Sequence, residues 1–174
     1  TTTACISHYL KTGHPLTTKR ITVDGGAITT PKNIRVVIGT AIKDVAEFCG
    51  GYKVEPSKIL MGGPMMGIAV YDENYPVVTN NNAILFFDEA ESTTYDETPC
   101  IRCGRCVKSC PFNLMPLRIE DAFEREDDAG LRRYKVNLCM ECGCCAFACP
   151  AKRHLVHTNR LAKARLREAD RKER

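Results

Sequence analysis

The chain has no tryptophan, and aromatic side chains of any kind make up 7% of it. No apolar run approaches the ~20 residues that cross a bilayer, and no signal peptide opens it. Neither G-x-G-x-x-G after a strand nor a G-x-x-x-x-G-K-[ST] loop occurs, so nothing here reads as a dinucleotide or nucleotide-phosphate cradle. H-E-x-x-H and G-x-S-x-G are missing too, with no coupled carboxylate pair, which argues against acid–base or nucleophilic hydrolysis. Neither sign of charge dominates: 25 Lys and Arg face 21 Asp and Glu, for a net charge of +4. The excess sits in the C-terminal tail and says little about nucleic acid. A hydrophobic fraction of 44% over 174 residues suits one ordinary globular domain or two small ones.

Cysteine is what the chain has in plenty. Nine of its eleven cysteines lie between Cys100 and Cys149. One run reads CIRCGRCVKSCP, with Cys100, Cys103, Cys106 and Cys110 before Pro111. The other reads CMECGCCAFACP, with Cys139, Cys142, Cys145 and Cys149 before Pro150. Both are C-x2-C-x2-C-x3-C-P, the bacterial spacing for a cubane iron–sulfur cluster. Three cysteines at intervals of three turn their thiolates to three corners of a cubane, and the fourth corner comes from elsewhere in the chain. In two-cluster ferredoxins the last cysteine of each run serves the other cluster. The expected quartets are therefore Cys100, Cys103, Cys106 and Cys149 for one [4Fe-4S] cluster, and Cys139, Cys142, Cys145 and Cys110 for a second. Two nearby one-electron sites form a wire.

The neighbours of these cysteines suit the same chemistry. Gly104 and Gly143 occupy matching places where a loop around an anion needs positive φ, and nearby amides can hydrogen-bond sulfur. Arg102, Arg105, Lys108, Lys152 and Arg153 can offset the negative charge of a thiolate-bound cluster, although each also reads as an ordinary surface cation. Pro111 and Pro150 end the local turns. Cys144 falls outside the spacing and reads as a small buried apolar side chain. Zinc is the competing metal, but it takes cysteines as two C-x2-C pairs per ion. A disulfide framework fits less well still, and thiol-rich motifs point to a reducing, cytoplasmic compartment.

The rest of the chain reads as a small α+β fold. A short helix spans about Ala4 to Lys11, with Cys5 on its buried side; His8 and His14 are isolated. RITVDGG and PKNIRVVIG read as strands, the second turning Ile34, Val36 and Ile38 inward. Thr40 can cap a helix whose apolar side is Ala41, Ile42, Val45, Ala46, Phe48 and Cys49, ended by Gly50 and Gly51. SKILMGGPMMGIAVY supplies a strand, a glycine turn and a further strand; PVVT and AILFF supply the last ones. The Gly62–Gly67 turn reads either as amides that hold an anion or as a tight turn with Met65 and Met66 filling gaps.

The succession RITVDGGAITTPKNIRVVIGT, helix, KILMGGPMMG resembles the soluble-ligand-binding β-grasp (SLBB) domain. That domain followed by paired CP-terminated cysteine runs resembles the C subunits of Rnf (Rsx) electron-transport complexes, over nearly the whole chain. The resemblance implies an α+β fold, a small β-grasp domain followed by a mostly α-helical 2[4Fe-4S] ferredoxin domain. The expected domains are 1–88 and 100–155, with an acidic, aperiodic linker at 89–99 and a basic helical tail at 156–174. The resemblance also implies electron transfer in an ion-translocating ferredoxin:NAD oxidoreductase, peripheral on the cytoplasmic side of the inner membrane. The partners are the other Rnf-type subunits and ferredoxin or a cluster-bearing subunit. Full-length members carry an N-terminal domain similar to the flavin- and NADH-binding subunit of respiratory complex I. This chain opens on TTTAC rather than Met and lacks such a site, so FMN and NADH are expected only on that missing domain, and no catalysis by this part alone. The cobalamin reductase subunit of microcompartments resembles the same architecture. A metal-stabilised binding module with a nucleic-acid-gripping tail is the reading from another class.

Between the runs, a helix from Pro116 to about Asp128 carries Leu117, Ile119, Ala122 and Phe123 and stops at Gly130; a second passes through Leu131 and Tyr134. From Leu155 a helix with a stripe of Leu155, Val156, Leu161, Ala162, Leu166 and Ala169 reads as solvated, or as touching anionic lipid. His154 and His157 are not needed as ligands.

Overall fold

The computed structural model describes residues 2–172. The chain forms two units, the first ending at Thr93 and the second beginning at Thr94.

The first unit opens with helix α1 (Thr2–Thr12), which buries none of its residues. Cys5 is half-exposed there rather than buried. With Ile6, Tyr9 and Leu10 all exposed, the helix has no wall to press that side against. A five-stranded sheet follows: β1 (Thr18–Asp24), β2 (Lys32–Val37), β3 (Lys58–Met61), β4 (Ile68–Val70) and β5 (Ala83–Phe87), in the spatial order β2-β1-β5-β3-β4. β1 pairs antiparallel with β2 and parallel with β5, so first and last strands meet at the centre. Alternation does what it predicts: Ile21 and Val23 face Ile34 and Val36 on one side of the sheet. Helix α2 (Ile42–Phe48) covers that side with Ile42, Val45, Ala46 and the following Cys49, all buried with Ile59, Ile84 and Phe86 in one core.

Several details differ from what the sequence predicts. Thr40 does not cap α2; Ala41 stands at the cap position without a side-chain bond. Phe48 is exposed, because it lies past the covered face and takes the Lys32 ammonium over its ring at 4.6 Å. PVVT forms no ladder. Pro76 makes only an isolated bridge with Ala41, and Val77 is buried through amide and carbonyl bonds to Thr40 and Gly39. A proline without an N–H in a three-residue apolar run cannot hold a strand. Met65 and Met66, expected as gap fillers, are exposed at the tip of the β3–β4 turn.

The polar stretch after β5 is anchored. Glu91 accepts from the Gly26 amide at 2.6 Å, and Lys58 donates to the Ser92 carbonyl at 3.2 Å.

The second unit holds helices α3 (Arg105–Lys108), α4 (Pro116–Glu124), α5 (Asp128–Arg133), α6 (Cys144–Phe147) and α7 (Leu155–Lys172), with a 3-10 turn at Val136–Leu138. α4 stops earlier than expected, at Glu124. Gly130 lies inside α5, where its amide bonds the Asp127 side chain at 2.8 Å, so it opens a helix instead of ending one. Ile119, Ala122, Leu131 and Val136 pack with Ala162 and Leu166 of α7 in one core. The basic C-terminal helix is thus a wall of this unit, not a solvated tail. Its buried stripe runs Leu155, Asn159, Ala162, Leu166, while the predicted member Leu161 is exposed. Among the described residues no helix is long and apolar enough to cross a membrane.

Candidate iron–sulfur centre

The two cysteine runs fold alike. In each, the residue two beyond the first cysteine is left-handed: Arg102 at φ 54° and Glu141 at φ 59°. That twist carries each amide back onto its own run, Arg102 N–H to Cys100 Sγ and Glu141 N–H to Cys139 Sγ, both 3.4 Å. Gly104 (φ 73°) and Gly143 (φ 82°) follow and open the one-turn helices α3 and α6. Beyond the closing cysteines, Asn113 (φ 51°) and Lys152 (φ 53°) complete the correspondence. The glycines are legible from the sequence alone. The four non-glycine left-handed residues are not, although laying one run over the other shows that each pair shares a register position.

This repeat places the eight cysteines around two hollows. One, of about 420 Å³, is lined by Cys100, Cys103, Cys106 and Cys149. The other, tighter at about 20 Å³, is lined by Cys139, Cys142, Cys145 and Cys110. In both, the fourth thiol comes from the end of the other run. Tetrahedral zinc with bonds of about 2.3 Å needs its sulfurs about 3.8 Å apart around one point. Among the described residues no three His, Cys, Asp or Glu side chains meet in that way. The thiols of each quartet line a hollow instead. Phe112 and Met140, both half-exposed, line the tighter hollow beside its cysteines.

The surroundings differ between the hollows. In the first, Cys100 and Cys103 are exposed, Cys106 half-exposed and Cys149 buried; in the second, Cys145 is buried and Cys110, Cys139 and Cys142 are half-exposed. Burial pushes the Cys145 thiol up to about 12 and that of Cys106 upward as well. The protein alone therefore resists the thiolates of Cys145 and Cys106, and a bound cation is the natural compensation. Leu114 donates to Cys110 Sγ at 3.4 Å, and the side-chain Nδ2 of Asn159 stands 3.5 Å from Cys139 Sγ. Cys144 lies outside the second quartet; it is half-exposed rather than buried, and a hydrogen bond with Cys142 raises its pKa.

Of the cations expected to offset cluster charge, Arg102 and Arg153 line the first hollow. Arg153 is also bound to carboxylates, 3.0 Å from buried Glu120 and 3.3 Å from Glu124. Lys152 lies over the Tyr95 ring. On the second loop Glu141 is held by Lys163 and Arg160 of α7, and Lys163 also caps the Cys139 carbonyl at 2.9 Å. These ties make α7 the brace of the second run, a role for a basic helix that periodicity alone does not reveal. His154 and His157 line neither hollow.

The 4Fe-4S dicluster domain profile matches residues 80–153, and the SLBB domain profile matches residues 20–69. The C subunit of the ion-translocating oxidoreductase complex of Rhodobacter capsulatus is 44% identical over 156 residues, covering 90% of this chain and 30% of that protein. Its counterpart in Methanosarcina acetivorans is 47% identical over 154 residues, covering 88% of this chain and 34% of that protein. The chain belongs to this C-subunit family. A third relative, the C subunit of the proton-translocating ferredoxin:NAD(+) oxidoreductase complex of Clostridium ljungdahlii, is 46% identical over 115 residues, covering 66% of this chain and 25% of that protein. The chain thus spans about a third or less of the length of these relatives, and it matches the part that carries the SLBB and iron–sulfur units. The mixed sheet and the helical region after it are those two units.

Proposed function

We propose that the chain is a two-cluster electron relay, with Cys100, Cys103, Cys106 and Cys149 holding one [4Fe-4S] cluster and Cys139, Cys142, Cys145 and Cys110 the other. The observation that carries this reading is the sorting of the eight thiols into two hollows, each built crosswise from both runs. When bound, the clusters supply one-electron chemistry at potentials set by their surroundings. The protein's part is to hold the sulfurs, to donate N–H groups to them at Cys100, Cys110 and Cys139, and to bring Arg102 and Arg153 to the first hollow. The exposed first loop is the natural point of electron exchange with a partner, since transfer needs close approach.

The whole subunit then works in a ferredoxin:NAD oxidoreductase of the Rnf type, docked on the cytoplasmic face of a membrane complex through its other subunits. FMN and NADH belong to a preceding part of the subunit, and ferredoxin or a cluster-bearing subunit exchanges electrons here. The relatives' names support this context. Anaerobic purification with iron and sulfide analysis, then redox-titrated EPR, tests the relay. About eight irons per chain and two one-electron signals are the expected result. A colourless, zinc-loaded protein would overturn it.

A further inference from the structure

Among its described residues the second unit buries two polar side chains, Glu120 and Asn159. They occupy the same place in the internal repeat. α4 begins six residues after Cys110 and α7 six after Cys149; Glu120 and Asn159 each stand ten residues past those cysteines. Equivalent positions carry different chemistry. Glu120 is an ion-pair partner of Arg153. Asn159 aims its Nδ2 at Cys139 Sγ, at 3.5 Å, and its Oδ1 is buried with no partner.

That orphaned oxygen shows what holds the amide in place. A leucine there would fill similar space with no unsatisfied group, and the flipped amide would set its oxygen against the sulfur. The asparagine therefore keeps its position through the N–H end. Among the described residues Cys139 receives two donors, the Glu141 amide and Asn159, whereas the matching Cys100 receives one, the Arg102 amide. A donor to a thiolate favours the more negative form, and an extra electron makes a cluster more negative.

We propose that Asn159 sets the potential of the second cluster, raising it through the Nδ2–H donated to the Cys139 thiolate. The inference rests on the ligand sets proposed above.

The test is redox-titrated EPR with iron analysis on the chain carrying its clusters, comparing wild type, Asn159→Leu and Asn159→Asp. All three are expected to hold about eight irons. In Asn159→Leu one of the two steps shifts about tenfold toward the oxidised form, ~59 mV for a one-electron couple, and the other stays. In Asn159→Asp the same step acquires a pH dependence, its potential falling as the new carboxyl ionises and loses its donor. If both variants keep their irons with unshifted, pH-independent potentials, or if both lose a cluster, the inference is overturned. If Asn159→Leu alone loses a cluster, the pH dependence in Asn159→Asp decides. A wild type with fewer than two clusters would mark the failure of the ligand assignment instead.

Discussion

The loops around the hollows are built from single residues in an unusual backbone conformation. Left-handed φ costs about 1–2 kcal/mol for a residue with a Cβ and nothing extra for glycine. Gly104 has no atom near the place a Cβ would take. Against the protein itself, Gly104→Ala should therefore pay about 1 kcal/mol of backbone strain in denaturant unfolding. Gly25 is a different case. Its φ is 119°, and a Cβ would collide with the Phe86 carbonyl oxygen, where β1 and β5 run side by side. Gly25→Ala should cost several times more, read as loss of the first unit's unfolding transition at temperatures where Gly104→Ala keeps it.

Adjacent cysteines offer a sharper contrast at the same scale. Cys145 is buried beside Cys139 and Cys142 in the lining of the second hollow, while Cys144 lies outside it. Cys145→Ala should lower the iron content by about four per chain, since a cubane needs its fourth thiolate; Cys144→Ala should leave it unchanged. Iron and acid-labile sulfide analysis reads both. The reverse pattern would move the quartet by one residue.

Between elements, the buried Glu120–Arg153 pair joins α4 to the segment leading into α7. Burial raises the Glu120 carboxyl despite the pull of Arg153 in the other direction. A carboxyl whose folded pKa lies above its unfolded one contributes stability below the unfolded value and loses it as pH rises through the folded one. Arg153→Met removes the lowering partner and leaves burial alone, so its cost should grow with pH. Urea unfolding should show little loss near about pH 5 and about 3–5 kcal/mol near about pH 8, the range for a stranded buried charge. Adding Glu120→Leu should recover most of it and flatten the profile. α7 makes the companion case. Leu166 is fully buried against Ile119, Leu131 and Val136. Leu166→Ala should cost about 2–5 kcal/mol in the same assay, whereas a solvated tail would tolerate it.

These elements also show what a linear chain discloses. The paired cysteine runs, the glycine turns and the β1, β2, α2 and β5 segments are legible because each depends on local spacing: cysteines at intervals of three, inward strand positions at intervals of two. The burial of α7 is not legible, since a stripe of Leu155, Asn159, Ala162 and Leu166 with cations all round looks amphipathic only weakly. What fixes it is distant: the apolar face of α4 and Glu141 on the second loop. PVVT misleads for the opposite reason. Its composition suits a strand, but Pro76 has no N–H to give a ladder. Asn159 carries no sequence signal by itself; only the match to Glu120 across the repeat singles it out.

For the whole molecule, the division of labour follows from what a cluster can accept. A hydride carries two electrons and a cubane takes one at a time, so the proposed NADH chemistry calls for a flavin between them. Neither described unit shows a strand–glycine-turn–helix cradle for a dinucleotide; the glycine turn after β1 leads through Ala27 and Ile28 into β2 rather than into a helix. The hollows are lined by thiols and apolar side chains, joined by Arg102, Arg118, Asp121 and Arg153 in the larger and Asn159 in the smaller. The chain with its clusters should therefore bleach when given dithionite, yet stay oxidised with NADH in anaerobic absorbance measurements. Adding a flavoprotein NADH dehydrogenase should restore reduction, more slowly as salt rises if the cations near the first loop assist the encounter. Reduction by NADH alone would mean that a hydride-accepting site is present in this part of the subunit, and that the electrons need no second domain to be split.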